Sequence, residues 1–384
     1  MDDSAGPGVI AVFLLSPRPH IESKQPAADI ELEWVWVQGL SIPKTHIFGF
    51  SVKPYKWIRF VAGALLGAKG ILCDSLDTNA VEIDYDRPLI PGDSALYYHT
   101  DPTEQERFFP LDPSLACSSS SCNASSTSSR FQTFRNNVVA RDVTCVLSGT
   151  RTNLCEAAHL ISHTKGNDYI EALTAARSGG SETIDHIDDI RNGILVSPTL
   201  HKLLEKQHVA FLLTPNFAMS TSDVNPGLLP DVKRWTVHDF EYVLDPTLQD
   251  SPHNQPLRVP ADESQWPPRV LFDTTYASVV ARYFGHEDFA AFVREHWQSR
   301  LYPGGRRNRR DIGQAELHLR RAQERADGLE EMDPLDMIFC ISQIARPPPT
   351  AEHEQRLIIG QRTVEAARHT ELEQKVASWL GTVT

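Results

Sequence analysis

The sequence predicts a multidomain α+β protein, and three observations carry that prediction. At 384 residues the chain is too long for one ordinary core. A serine tract, CSSSSCNASSTSSR at 117–130, interrupts it with a composition that buries little apolar area and reads as a flexible linker. Strand-like alternation dominates before the tract, and helical periodicity dominates the last third. The expected divisions are a β-rich N-terminal domain at 1–116, a linker at 117–131, a mixed central domain at 132–222 and a mainly helical C-terminal region at 223–384.

In the first division, ELEWVWVQG (31–39) and THIFGFSVK (45–53) alternate, are rich in aromatic and β-branched residues and flank a turn, which predicts a hairpin. YKWIRFVAGALLGAKG (55–70) has helical periodicity and a glycine stop. GILCDSL, AVEIDY and SALYYHT then read as further strands, an order that suggests a β-grasp-like domain. No side-chain cluster in it suggests catalysis. From about 223 the chain is proline-rich and irregular until Trp266. Helices are then expected at 270–285, 287–302, 312–331 and from about 351, with a solvated basic loop, GGRRNRRD, at 304–311.

Composition narrows the function classes. The formal charge of −13 argues against coating nucleic acid by bulk electrostatics. Between Arg130 and His208, however, 9 Lys+Arg balance 9 Asp+Glu, so a local site built from placed residues stays open. No uninterrupted apolar stretch approaches bilayer-spanning length. Two aspartates precede the apolar patch at 9–15, where a signal peptide carries positive charge. Neither a membrane partner nor a secretory signal is expected. Six cysteines in so long a chain do not make a disulfide framework, so an intracellular location, nucleus or cytoplasm, is expected.

The central division carries the chemistry. CEAAHLIS (155–162) reads as a buried strand with His159 in its middle; alone, it suggests a core histidine satisfied by a backbone carbonyl. DHIDDIRNGILVSPTLHKLLEKQH (185–208) adds an Asn-Gly at 192–193, a short apolar run and a helix that Ser197 caps and Pro198 begins. His201 and Glu205 are i and i+4 on that helix, so one face presents an imidazole and a carboxylate to a divalent ion.

The combination of EAAHLIS with DIRNGILVSPTLHKLLE resembles the HNH endonuclease family and is similar to HNH-domain proteins common in fungi. The resemblance implies that the central domain is a ββα-metal unit. It makes His159 the general base, Asn192 the residue that orients base or metal, and His201 a metal ligand, with Glu205 where related DNases have a further histidine. The implied cofactor is one divalent ion, Mg, Mn, Ni or Zn, and the implied partner is DNA, with RNA left open. A partner of the N-terminal domain is not identified.

Three departures qualify the resemblance. Ala158 stands where a ligand often precedes the base; Glu156, on the same strand face, is either a substitute ligand or a structural carboxylate. Ser197 and Leu200 stand at downstream cysteine positions of zinc-clipped relatives, so Cys145 and Cys155 are expected to be buried small residues and no structural zinc is expected. An insert at 164–185 is either a specificity loop or an elaboration. Asp188 and Asp189 are reserve ligands or supports, and Arg191 and Lys165 are candidate phosphate contacts. The expected function is metal-dependent hydrolysis of DNA phosphodiesters. The alternatives are a catalytically silent binding module that keeps the fold, and a nuclease effector or toxin.

Overall fold

In the computed structural model, residues 8–19, 33–77, 80–90, 92–116, 129–248 and 251–303 are described. The first segment builds a four-stranded sheet from β1 (Val9–Arg18) and β2 (Glu33–Pro43), then, after α1 (Lys44–Ile47) and α2 (Pro54–Leu66), β3 (Gly70–Cys73) and β4 (Ala95–Thr100). The order is β2-β1-β4-β3. β1 and β2 are antiparallel, from Val9 opposite Pro43 to Arg18 opposite Glu33, whereas β1 and β4 run parallel.

The hairpin expected between 31–39 and 45–53 is therefore corrected. The partner of β2 is β1, and the stretch after Pro43 turns into α1. β1 reads as a continuous apolar run because it is an inner strand with one face fully buried and apolar, half-buried residues on the other. Ile10, Val12 and Leu14 are fully buried, and on the opposite face Phe13 stacks on Tyr97 with centroids 5.3 Å apart. AVEIDY forms only an isolated bridge from Glu82 to Cys73 rather than a strand. α2 starts with Pro54 at its N-terminus and ends where Gly67, at φ 76°, donates its N–H to Gly63 O. That positive φ is costly for any residue but glycine.

The chain then runs through α3 (Pro113–Ala116), α4 (Ser129–Asp142), β5 (Glu156–His159), α5 (Asn167–Ser178), β6 (Gly193–Val196) and α6 (Pro198–Glu205). β7 (Val209–Thr214), β8 (Arg234–Asp239), α7 (Phe240–Leu244), α8 (Arg269–Phe284), α9 (Glu287–His296) and α10 (Gln298–Leu301) follow. β5 pairs with β6 and β7 with β8, both antiparallel. β8 falls in the stretch that the sequence marked as irregular. The molecule is thus α+β, with several small sheets and ten helices among the described residues.

Two hydrophobic clusters lie on either side of β7. Ala210 and Leu212 face a large cluster shared by the N-terminal sheet, α2, α5 (Tyr169, Leu173) and α8 (Leu271, Tyr276). Val209, Phe211 and Leu213 face a second, built from Phe134 and Val138 of α4, Ala157 and Ala158 of β5, Leu195, Leu200, Trp235 and Phe272. The period of two along a strand divides one element between two interiors. The described residues all belong to one compact unit. The serine tract up to 128, the basic stretch at 304–311 and the helices expected at 312–331 and beyond lie outside the described residues.

The insert at 164–185 carries α5, which packs into the large cluster. α5 buries Tyr169, Ile170, Leu173 and Thr174. Its Arg177 donates to the carbonyls of Ala64 (2.8 Å) and Phe109 (2.8 and 3.0 Å), close to the C-terminal end of α2. Lys165 donates to Asp112 Oδ2 at 2.6 Å and Tyr302 OH at 3.0 Å.

One buried polar chain links α2, α8 and β8. The Tyr276 hydroxyl accepts from Trp57 Nε1 (2.9 Å) and donates to His238 Nδ1 (2.6 Å). His238 is fully buried, and burial, then the neighbouring His253, holds its pKa well below the ordinary 6.5. Below pH 6.5 the unfolded chain therefore takes up a proton that the folded chain refuses, and stability falls as pH drops. His238→Gln should flatten the loss of unfolding free energy in urea between pH 6.5 and 5, by up to about 1.4 kcal/mol per pH unit. A variant with the wild-type slope would exclude His238 as the source.

Candidate active site

The site begins with the β5–β6 pair, in which Glu156 faces Val196 and His159 faces Gly193. Helix α4 fastens the pair from outside. Asp142 Oδ2 accepts from Leu195 N at 2.8 Å, and Arg141 donates to Ile190 O (2.9 Å) and Gly193 O (2.6 Å). The Arg141 and Asp142 side chains, 5% and 0% exposed, also pair with each other at 2.6 Å. A buried ion pair of this kind is tolerated because its remaining hydrogen-bonding groups meet backbone partners. Neither residue was singled out in the sequence, because no local pattern marks an Arg-Asp pair whose partners lie some 50 positions downstream.

His159 ends β5 with a side chain 12% exposed, and its Nε2 lies 3.0 Å from Asp188 Oδ1. The hydrogen bond from His159 is the main cause that holds the Asp188 carboxyl below its ordinary range, against the opposing effect of burial; the charges of His159, His186 and His163 add to it. With Nε2 donating to this carboxylate, Nδ1 is the nitrogen left to accept a proton. The partner that fixes the tautomer is thus a carboxylate, where the sequence suggested a backbone carbonyl. Phe134 lies face to face on the imidazole, with centroids 4.0 Å apart and planes 7° from parallel.

Asn192 is fully buried, and its side chain hydrogen-bonds to neither His159 nor His201. Its Nδ2 donates to Ile161 O and Ile187 O, both at 2.9 Å, and its Oδ1 accepts from Ile161 N at 2.9 Å. It ties the backbone just beyond His159 to the backbone just before Asp188. Asp189 caps the Ile190–Asn192 turn and binds Arg191 through Nη2 (2.7 Å) and Nε (3.1 Å). Lys165, expected at a phosphate, is instead 8% exposed on Asp112, so it has no face to offer a substrate.

On α6, Ser197 accepts from Leu200 N and Pro198 opens the helix, as the sequence predicts. His201 Nδ1 meets Glu156 Oε2 at 2.5 Å, and its Nε2 lies 3.9 Å from Glu205 Oε1. Ala158 is buried in the second cluster and offers no donor. The residues thus fall into two groups: His159, Asp188 and Phe134, and then Glu156, His201 and Glu205. An imidazole with two carboxylates suits a divalent ion by donor type. As placed, however, no three His, Cys, Asp or Glu among the described residues are arranged to hold one ion.

Cys145 and Cys155 are both buried. Cys145 Sγ accepts from Ser148 N (3.4 Å) and Ser197 N (3.3 Å), and Cys155 Sγ donates to Thr150 O (3.3 Å). No helix among the described residues is long and apolar enough to cross a membrane.

Residues 145–212 match the family model of the HNH endonucleases. The resemblance carried by EAAHLIS and DIRNGILVSPTLHKLLE is borne out for this segment, which points to nuclease-type hydrolysis of a nucleic acid. Such domains generally use a divalent metal. α4 lies outside the match. No curated protein and no solved structure matches the chain.

Proposed function

We propose that the central region is a metal-dependent HNH endonuclease that hydrolyses DNA phosphodiesters with His159 as general base. The observation that carries this reading is the His159–Asp188 pair on the HNH-type segment, a base with its tautomer held by a carboxylate. Water attacks phosphorus and gives its proton to His159 Nδ1, while the bond to the leaving 3′-oxygen breaks and that oxygen takes up a proton from solvent. Asp188 stabilises the imidazolium that forms. Asn192 keeps the two chain segments in register. Arg191, bound on one side by Asp189 and with its side chain 31% exposed, is the proposed phosphate contact.

A divalent ion, Mg, Mn, Ni or Zn, would be held by His201 and Glu205 with Glu156, and when bound it would neutralise charge on the phosphoryl oxygens. The β2-β1-β4-β3 order, with β1 and β4 parallel and α2 between β2 and β3, supports a β-grasp-like reading of the N-terminal region. A second reading, a catalytically silent binding module, is favoured by the buried Ala158 and by the unassembled ligand group.

Plasmid nicking by the full chain across Mg²⁺, Mn²⁺, Ni²⁺ and Zn²⁺ separates the two. Nicking in at least one metal, absent in His159→Ala, is expected. DNA binding without nicking in any of the four metals would establish the silent module instead.

A further inference from the structure

Gly193 looks at first like the second residue of an Asn-Gly turn, but its backbone is extended, at φ −131° and ψ 155°. Any residue adopts that conformation, so the turn does not explain the glycine. Space does. A Cβ at 193 would stand 2.4 Å from Phe134 Cζ, 2.8 Å from Phe134 Cε2 and 2.9 Å from Val138 Cγ2. The position opposite His159 in the β5–β6 ladder is thus emptied of side chain, and the Phe134 ring from α4 occupies the room. The same ring lies 4.0 Å from the His159 imidazole, nearly parallel to it.

We propose that Phe134 is a positioning residue for His159, and that residue 193 is glycine in order to admit its ring. The proposal rests on the reading of His159 as base and extends the site to a helix outside the matched segment. Asp188 holds the imidazole at one nitrogen, and a single hydrogen bond restrains tilting of the ring about its Cβ–Cγ bond only weakly. A flat aromatic surface against the face removes that freedom. Its quadrupole also favours a cation over the ring, which is the form that His159 takes once it has accepted a proton. Phe134 is itself 1% exposed and packed in the second cluster, so its own orientation is held by the interior.

Phe134→Leu keeps apolar bulk and removes the flat face. In the full-length protein it should lower kcat for plasmid nicking about tenfold to a hundredfold, the cost of a displaced catalytic group, with KM unchanged. The ¹⁵N signals of the His159 ring, in histidine-labelled protein without substrate, should broaden as the ring leaves its single orientation. Val138→Ala, which loosens the same helix under the same glycine, should lower the melting temperature and leave both readouts alone.

Size exchange distinguishes positioning from packing. Gly193→Ala should displace the ring and resemble Phe134→Leu. In the double variant Phe134→Leu/Gly193→Ala the ring clashes are gone, so the melting temperature should recover relative to Gly193→Ala while kcat should not. Recovery of kcat together with stability would overturn the proposal, as would sharp, wild-type ring signals in Phe134→Leu. Loosened ring signals with unchanged nicking, beside an active His159→Ala, would uphold the stack and overturn the base reading instead.

Discussion

His159→Ala should fold, bind divalent metal as tightly as the wild type and lose roughly 10²–10⁴ in cleavage rate, the usual worth of a positioned general base. The side chain is removed from the open end of β5, where it contributes one hydrogen bond to Asp188 and one ring face to Phe134. Neither contact belongs to the group on α6, so calorimetric metal affinity should not move. His201→Ala should behave in the opposite sense: the helix loses its imidazole, Glu156 loses the partner at its carboxylate, and metal binding weakens. Glu205→Ala should follow His201→Ala. A histidine serving only the core would give a lowered melting temperature with an unchanged rate per folded molecule. If His159→Ala abolishes metal binding while His201→Ala preserves it, the two roles are exchanged.

Arg177→Met should cost about 3–5 kcal/mol of stability, because the buried carbonyls of Ala64 and Phe109 lose their donor together. Burial pushes this guanidinium down to about 10, still far enough above neutral pH to keep it charged. It is held by the carbonyls of Ala64, Leu65 and Phe109 and by Thr274 Oγ1 rather than by a direct ion pair. Two of these carbonyls lie in the last turn of α2, where a cation also meets the negative end of the helix dipole. Methionine matches much of the apolar stem and supplies no donor, so the loss reports the hydrogen bonds more than the volume. Urea unfolding should show a lower midpoint with an unchanged slope. A shift below 1 kcal/mol would mean that solvent reaches these carbonyls.

What the sequence made legible was local. Ser197 and Pro198 announce α6 because capping chemistry acts within three residues, and that helix places His201 and Glu205 on one face. His159 was legible as a strand residue because the segment around it is short, apolar and bounded. β1 was not, since an inner strand with apolar residues on both faces lacks the alternation that identifies one. β8 was hidden by its proline-rich surroundings. Lys165 looked available in sequence, but its carboxylate partner lies 53 positions upstream. Phe134 lies 25 positions before His159 and belongs to a helix whose polar residues gave no hint of a site. Contacts of that range have no periodic signature.

β7 has a consequence for how the molecule can fail. Its odd-numbered residues from Val209 to Leu213 belong to one interior, and Ala210 and Leu212 to the other. A slip of one residue against β8 would present phenylalanine and leucine where alanine fits, and alanine where phenylalanine is needed. Overpacking on one side and a void on the other would then be penalised at once. The strand works as a parity check between two interiors: neither can accept a wrong register that the other would tolerate.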